Sequence, residues 1–191
     1  MSGVLAGLIG SLKSGPAGAF ESIASATGTG SSATITFSSI PSTYQSLQLR
    51  IVTKGSATGG GDSYVWLRVN GATGTVYSAH HLYGNGASVL AGAYSTANEM
   101  EGILQTINSG ATQTNVCSVG IIDFHDYAST TRNKTIRAIT GYDNNGAGEV
   151  RLASGLYQST TAISSISLIY QGGSGAWTTQ TQVALYGIKG A

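Results

Sequence analysis

Residues 46–54 read SLQLRIVTK, and the alternation in this stretch decides the fold class. Leu47, Leu49 and Ile51 fall on one face of an extended strand, and the residues between them fall on the other. Residues 63–70 alternate in the same way and end in Asn70-Gly71, a pair that tolerates positive φ in a tight hairpin turn. We therefore expect residues 76–83 to return from this turn as the neighbouring strand.

The same period-two pattern continues along the chain between glycine and asparagine turns. Since no proline-rich or charge-rich linker interrupts it, we predict an all-β fold with one domain over residues 20–191, a single β-sandwich of the jelly-roll type. Residues 1–19 precede it as an apolar arm. Residues 96–107 are ambiguous and could hold a helical turn. Further strands are expected at residues 33–37, 103–107, 115–124, 134–142, 149–157, 163–170 and 182–188.

The surface of this domain must be poor in charge. Only 9% of the chain is Asp, Glu, Lys or Arg, against roughly 25% in an ordinary soluble domain. Proteins that work as monomers usually keep mixed charges outside, for solubility and against pairing of sheet edges. The composition therefore favours a homo-oligomeric building block of an assembly over a freely diffusing enzyme. A trimer is the oligomer that we favour, because closed rings suit sites of local threefold symmetry.

Nucleic acid and membrane are not expected partners. The formal net charge is +1, and only Arg132, Lys134 and Arg137 lie close together among the cations, which is a weak phosphate-binding footprint. The apolar stretch at residues 4–12 is too short to span a bilayer. The single cysteine, Cys117, lies in an apolar run and is interpreted as a small buried hydrophobic residue.

The arm carries aliphatic residues at a spacing that could form one face of a short helix. Its glycines would weaken such a helix by up to about 1 kcal/mol each relative to alanine. Such an arm either packs back on its own core or anchors the chain to a neighbour, and we take the anchor as the hypothesis. The anchoring residues would be Val4, Leu5, Leu8, Ile9 and Leu12.

The polar clusters do not form a convincing catalytic or metal site. Asp123 and His125, with His80 or His81, could in principle ligate a divalent ion. Residues at a strand end, however, commonly bond the loop backbone, and adjacent histidines of one strand face opposite sides of the sheet. The stretch 143–149 is interpreted as a hairpin turn rather than a calcium loop. We predict no catalytic residue, no metal site, no cofactor and no enzymatic activity.

The aromatic residues leave three roles open. The chain has ten tyrosines and two tryptophans but three phenylalanines, so most rings carry a polar group. Such rings cap the core, lie at protein interfaces or, in a host-recognition protein, stack on sugars. The candidate interface or glycan contacts are Tyr64, Trp66, Tyr157 and Trp177.

Five segments resemble virion structural proteins of tailed bacteriophages, notably phages of aquatic bacteria and cyanobacteria. They are FESIASATGTGSSATITFSSIPSTYQSLQLR (20–50), HHLYGNG (80–86), IDFHDYAST (122–130), RAITGYDNNGAGEVRLASGLYQSTTAISSISLI (137–169) and ALYGIKG (184–190). The resemblance implies a β-sandwich component of the particle, used as a capsid decoration (cement) protein, a head fibre or a tail-associated protein. The resemblance implies no catalytic residues.

Two functional hypotheses follow from the residues and the resemblance together. In the first, the chain is a decoration or head-fibre protein, made in the host cytoplasm and located in the virion, that binds its own copies and other virion proteins such as the major capsid protein or a tail protein. In the second, it is a tail-fibre or tail-associated module that presents loops 84–94 and 143–148 to a cell-surface glycan of the host.

Overall fold

The computed structural model describes residues 18–59, 61–111, 114–171 and 175–190, and these form strands, turns and loops without a helix. The predicted arm, residues 1–19, lies almost entirely outside the described residues. Alternating apolar residues produce twelve strands: β1 (Phe20–Thr27), β2 (Thr34–Phe37), β3 (Ser46–Thr53), β4 (Asp62–Val69), β5 (Tyr77–Gly84), β6 (Val89–Ala97), β7 (Met100–Ile107), β8 (Ser118–His125), β9 (Lys134–Asp143), β10 (Gly148–Tyr157), β11 (Ile166–Tyr170) and β12 (Gln182–Ile188).

Two antiparallel sheets pack face to face, which confirms the prediction of an all-β sandwich. The large sheet has eight strands in the order β1-β12-β3-β8-β9-β10-β5-β6, and the small sheet has four in the order β2-β11-β4-β7. The order β1-β12-β3-β8 opposite β2-β11-β4-β7 is the one expected of a jelly roll in which the β5-β6 and β9-β10 hairpins are additions to one sheet. The jelly-roll type is our interpretation of that order.

The core lies between the sheets, because the alternation along each strand directs every second side chain inward. Leu47 and Leu49 of β3 are fully buried, whereas Arg50, the next residue after Leu49, is exposed on the other face. From the small sheet, Val65 and Leu67 point into the same core. Burial of apolar surface stabilises the fold by about 25 cal/mol per Å², so this interdigitated layer is the main source of stability.

One part of the core is polar and charged. The guanidinium of Arg151, a residue that is 2% exposed, is held by Glu149 through Nε to Oε1 at 2.7 Å and Nη2 to Oε2 at 3.0 Å. It also donates to the carbonyl oxygen of Gly102 and to Oε1 of Gln105, both on β7 of the opposite sheet. The ring of Tyr83 lies 4.7 Å from the guanidinium carbon. Arg151 therefore ties the two sheets together.

The turn at Asn70-Gly71 has the predicted conformation but a different role. Both residues have positive φ, 52° and 65°, yet β4 belongs to the small sheet and β5 to the large one, so the expected hairpin is wrong. The Tyr77 hydroxyl bonds both the amide and the carbonyl of Val69, which fixes the chain as it crosses between sheets. The Asn70 side chain accepts from the amide of Ser164 instead of bonding a returning strand.

Three further expectations are changed by the structure. The loop expected at residues 84–94 is instead a hairpin between β5 and β6, and β6 is an unpredicted edge strand. The ambiguous stretch at 96–107 is mostly strand β7. Cys117 is half-buried rather than buried, because it precedes β8.

The predicted hairpin at residues 143–148 is confirmed: Asn145 and Gly146 have φ of 60° and 91°, and the Gly146 amide donates to Oδ1 of Asp143.

Candidate functional site

The outer face of the large sheet, which points away from the small sheet, carries two adjacent rows of mostly apolar residues. We call them the apolar rows. Their members are cross-strand neighbours on β3, β8, β9, β10, β5 and β6 in that order. The first row is Val52, Val119, Gly141, Val150, Gly84 and Val89, and the second is Arg50, Ile121, Ile139, Leu152, Leu82 and Ala91.

These side chains are strongly exposed. Val150 is 63% exposed, Ile139 58% and Val119 54%. Strand β8 also buries Ile122 and Phe124 on its inner face, so it is apolar on both sides. Strands that are apolar on both faces are typical of sheets that are covered on both faces, and a contiguous exposed apolar patch marks an interaction site. The apolar rows are therefore our candidate functional site.

The members of the apolar rows on β3, β8 and β9, together with Val150, line a concave trough of about 1100 Å³. Strands β1 and β12 form one side of this trough, and β3, β8 and β9 lie beneath it. One rim is polar, because the next row along the strands contains Gln48, Asp123 and Arg137. Asp123 accepts from Gln48 at 2.9 Å and from Arg137 at 3.0 Å, so the charges of this rim are already paired.

A second, smaller cavity of about 410 Å³ continues this surface toward the β6 edge. Leu82, Leu152 and Ala91 of the second apolar row line it, together with His80 and Ser154 of the row beyond. The candidate surface thus extends over most of the width of the large sheet. A mainly aliphatic surface of this kind, with Arg50 as the charged member of its rows, can bind a complementary apolar partner.

The four candidate aromatic residues separate into two groups. Tyr64 is 45% exposed and Trp66 is half-buried, both on the outer face of the small sheet. Trp177 is fully buried, and Tyr157 is 5% exposed and stacks on Tyr77 with ring centroids 5.3 Å apart. The interpretation of Tyr157 and Trp177 as interface or glycan contacts is therefore wrong, because the core encloses both rings. The anchoring residues Val4, Leu5, Leu8, Ile9 and Leu12 lie outside the described residues.

The residues considered for metal binding do not converge. Asp123 lies on the outer face, where it is paired with Arg137, and His125 is exposed at the end of β8. His80 and His81 face opposite sides of β5, as expected. In the described ranges of the chain, no three His, Cys, Asp or Glu side chains come together as a metal site would require.

The small cluster of cations also disperses in the fold. Arg132 pairs with Asp126 on the surface, and Arg137 pairs with Asp123. Lys134 is fully buried, and its ammonium group donates to the carbonyl oxygens of Ser129, Arg132 and Thr160. Burial lowers the pKa of Lys134. This lysine therefore fastens loops and is not available to a phosphate group.

His81 lies on the inner face, in a narrow space next to Tyr94 and Tyr83. Two glycines make the space, since a β-carbon on Gly92 or Gly102 would come within 2.7 or 2.6 Å of the imidazole. Burial lowers the pKa of His81, and the nearby positive charges of Arg151 and His80 add to this effect. The folded protein therefore favours the neutral imidazole.

The low pKa of His81 predicts an acid-sensitive stability. Unfolded histidine titrates near pH 6.5, so below that pH the unfolded chain binds a proton that the folded chain does not. The free energy of unfolding therefore falls as pH falls, and one such site contributes at most about 1.4 kcal/mol per pH unit. Urea unfolding of His81→Gln between about pH 7.5 and 5.5 should show a weaker decline than wild type. His125→Gln, which changes an exposed residue at the end of β8, is the control. An unchanged decline in His81→Gln would contradict this assignment.

Comparisons with known proteins give no relative. No protein-family model matches the chain, no curated protein matches it, and no solved structure matches it. Within the part of the chain that the structure describes, there is no helix long and apolar enough to cross a membrane.

Proposed function

We propose that the protein is a non-enzymatic structural component of a bacteriophage virion, a capsid decoration (cement) or head-fibre protein that binds neighbouring virion subunits through the outer face of the large sheet. The observation that carries this proposal is the pair of exposed apolar rows, which cross six strands without a charged residue other than Arg50. The resemblance of five segments to phage virion proteins and the low charge of the whole chain support the same function.

The energetics of such a surface suit an assembly. Complete burial of one aliphatic side chain contributes about 1.5–3 kcal/mol, and several half-exposed side chains together yield a similar amount each time a partner covers them. Association and ordering costs offset much of this gain, so a single contact is weak. Contacts repeated by the symmetry of a particle add up through avidity, and this supplies the strength that one contact lacks.

Charged substitutions in the apolar rows test the proposal. In the double variant Ile121→Asp/Ile139→Asp, docking would take two carboxylates out of water, one of them opposite Arg50, and this desolvation costs several kcal/mol. We expect the purified variant to bind phage particles prepared without this protein at least about a hundredfold more weakly than wild type. Each loss of about 1.4 kcal/mol of binding free energy weakens the affinity tenfold. Cosedimentation with the particles and cryo-EM of the mixture measure the bound fraction.

The matched control places the same charges on the outer face of the small sheet. Thr36 and Ser167 are cross-strand neighbours there, and their hydroxyls are 2.8 Å apart. Thr36→Asp/Ser167→Asp should bind particles as wild type does. Both variants must keep the far-ultraviolet circular dichroism and unfolding midpoint of a folded protein. Equal binding by the two double variants would reject the large-sheet face as the docking surface.

A tail-associated host-recognition module is the second candidate function. The observation that favours it is the position of Tyr64 and Trp66, which share the outer face of β4 and leave aromatic surface exposed. Amphipathic rings of this kind suit a partner that is apolar on one side and hydroxylated on the other. In that case the purified protein would bind host polysaccharide, and Ile121→Asp/Ile139→Asp would leave this binding unchanged.

A further inference from the structure

We propose that strand β6 pairs with β6 of a second copy of this chain, antiparallel and centred on Ala91, so that the large sheets of the two copies become one continuous sheet. The contact uses the open edge of the large sheet, whereas the proposed function uses its outer face. The inference therefore goes beyond the proposed function and does not depend on it.

Strand β6 ends the large sheet without the features that usually keep a sheet edge from pairing. In the described part of the chain, β5 is the strand that pairs with it, and its other side is open. Its sequence, VLAGAYSTA, contains no charge and no proline, and Val89 is 73% exposed. The register shift against β5 comes only after Tyr94, so residues 89–94 form a regular edge. A long, uncharged and exposed edge is a template for another strand.

The other three edges of the described sheets are protected. Strand β1 carries Glu21, which pairs with Lys189 at 2.6 Å, and it has a bulge between Ser22 and Ala24. Strand β2 is four residues long. Strand β7 carries Glu101, and a register shift interrupts its pairing with β4. Charges, bulges and short strands prevent edge-to-edge pairing, so the contrast identifies β6 as the edge that is left for a partner.

The hairpin between β5 and β6 shows which backbone groups of β6 are free. The Asn85 amide donates to the carbonyl oxygen of Ser88 at 3.2 Å, so these two residues form a hydrogen-bonded pair. Along an antiparallel ladder, such pairs alternate with pairs whose N–H and C=O groups point away from each other. Because the register with β5 is regular in this part of the strand, Val89, Ala91 and Ala93 direct their N–H and C=O groups toward the open edge.

These residues are self-complementary around a twofold axis at Ala91. In that register Val89 lies opposite Ala93 of the second copy, and the two copies exchange up to about six backbone hydrogen bonds. The side chains also fit, because each larger residue meets a smaller one. Leu90, which is 41% exposed, comes opposite Gly92 of the second copy, as Val89 comes opposite Ala93. A second copy supplies this pattern by symmetry, which is the property of an isologous contact.

The same register joins the second apolar rows of the two copies. This row ends on β6 with Ala91, which lies beside Leu82 of β5. A twofold axis perpendicular to the sheet keeps both outer faces on the same side, so Ala91 of one copy continues the row into the second copy. Such a contact closes after two copies, whereas the composition favoured a closed ring of three.

The N-terminal part of the same chain is poorly placed to cover this edge. The described chain begins at Gly18 beside β1, seven strand spacings or about 34 Å from β6. Ala91 is level with Ser25, about 20 Å farther along the strands. At no more than about 3.6 Å per residue, residues 8–17 would have to be fully extended for residues 1–7 to reach the edge. A second copy needs no such extension.

Dilution of the full-length protein tests the pairing. Between about 5 and 500 μM, the range of a weak to moderate dimer, light scattering should show a rise from the 19.4 kDa of one chain to twice that mass. Amide hydrogen exchange, followed by NMR over the same range, should show that the Val89, Ala91 and Ala93 amides become protected as the dimer forms. A protein that remains a monomer, or one that forms trimers, would overturn the proposal. Protection of these amides that is independent of concentration would overturn it too, because the chain itself would then cover the edge.

A proline at the axis tests the role of the backbone. Ala91→Pro removes an N–H that faces the open edge and leaves the hydrogen bonds to β5, and proline is tolerated on an edge strand at such a position. We expect the dissociation constant of the dimer to rise at least about tenfold, because both central hydrogen bonds are lost. Ala91→Ser keeps the N–H and should dimerise as wild type does. Equal dissociation constants for the two variants would contradict the pairing.

A charge at the axis gives a second test that does not alter the backbone. Ala91→Lys places two like charges opposite each other across the axis, and it should also weaken the dimer at least about tenfold. Val119→Lys puts the same charge on the same outer face, four strands from the edge, and should leave dimerisation unchanged. If Val119→Lys weakened the dimer and Ala91→Lys did not, the copies would meet through their outer faces and the proposal would be wrong. Because no particle is present, these results are separate from particle binding, which alone decides the proposed function.

Discussion

Replacement of Trp177 by alanine should lower the free energy of unfolding by about 3–5 kcal/mol, the range for deletion of a large buried aromatic side chain. The indole is fully buried, lies against the ring of Tyr170 at 5.4 Å between centroids, and donates to the carbonyl oxygen of Leu168. The alanine would leave a cavity and remove these contacts. Urea or guanidinium unfolding, followed by circular dichroism, measures the loss.

The matched control is Tyr64→Ala. Composition alone does not distinguish Tyr64 from Trp177, but Tyr64 is 45% exposed on the outer face of the small sheet. Substitutions at such surface positions usually change stability by no more than about 0.5 kcal/mol. A Trp177→Ala protein as stable as Tyr64→Ala would show that the ring is not part of the core.

Replacement of Arg151 by methionine should cost about 3–5 kcal/mol, because it leaves the buried Glu149 carboxylate without its partner. The substitution also removes the donors to the Gly102 carbonyl and the Gln105 side chain, the hydrogen bonds that connect β10 to β7. Methionine has a length similar to that of arginine, so most of the loss reports charge and hydrogen bonding rather than a cavity. Equilibrium unfolding at neutral pH gives the value.

The double variant Arg151→Met/Glu149→Leu provides the comparison. Exchange of a whole buried ion pair for apolar residues of similar volume is often neutral or stabilising, so we expect this protein to regain most of the stability lost in Arg151→Met. A double variant that is even less stable than the single one would mean that Glu149 has a separate structural role, and it would contradict our assignment of the loss in Arg151→Met to the unpaired carboxylate.

The fold class could be predicted because it depends on local alternation. The pattern of Leu47, Leu49 and Ile51 is independent of which strand lies beside them, and it correctly identifies a half-buried strand. The turn at Asn145-Gly146 was equally predictable, since its positive φ values are a local property of Asn and Gly. Both predictions require no knowledge of distant residues.

Sheet membership could not be predicted in the same way. Asn70-Gly71 has the conformation of a hairpin turn, but the partner of β4 is chosen by contacts with residues about a hundred positions later, such as Ser164 and Ser165. Likewise, the Lys134 ammonium group bonds not only the loop just before it but also the carbonyl oxygen of Thr160, 26 positions later. Long-range hydrogen bonds of this kind leave no periodic trace in the sequence.

The candidate surface was missed for a related reason. Considered one by one, Ile121, Ile139 and Leu152 look like ordinary strand residues. Only the register of three neighbouring strands brings them into one row. The signal that could have found it is the stretch 119–122, in which apolar residues occupy both alternate sets of positions and therefore both faces of the strand. In a charge-poor chain, a strand that is apolar on both faces indicates that a second layer or a partner covers its outer face.

The pairing of β1 with β12 joins the beginning of the described chain to its end. A growing polypeptide on the ribosome cannot make this pair until residues 182–188 have emerged, and pairing over such a separation is intrinsically slow. Because β1 and β12 form one side of the trough, a nascent chain that has not yet paired these strands lacks that side. The proposed function therefore implies that a molecule binds its neighbours only after its synthesis is complete.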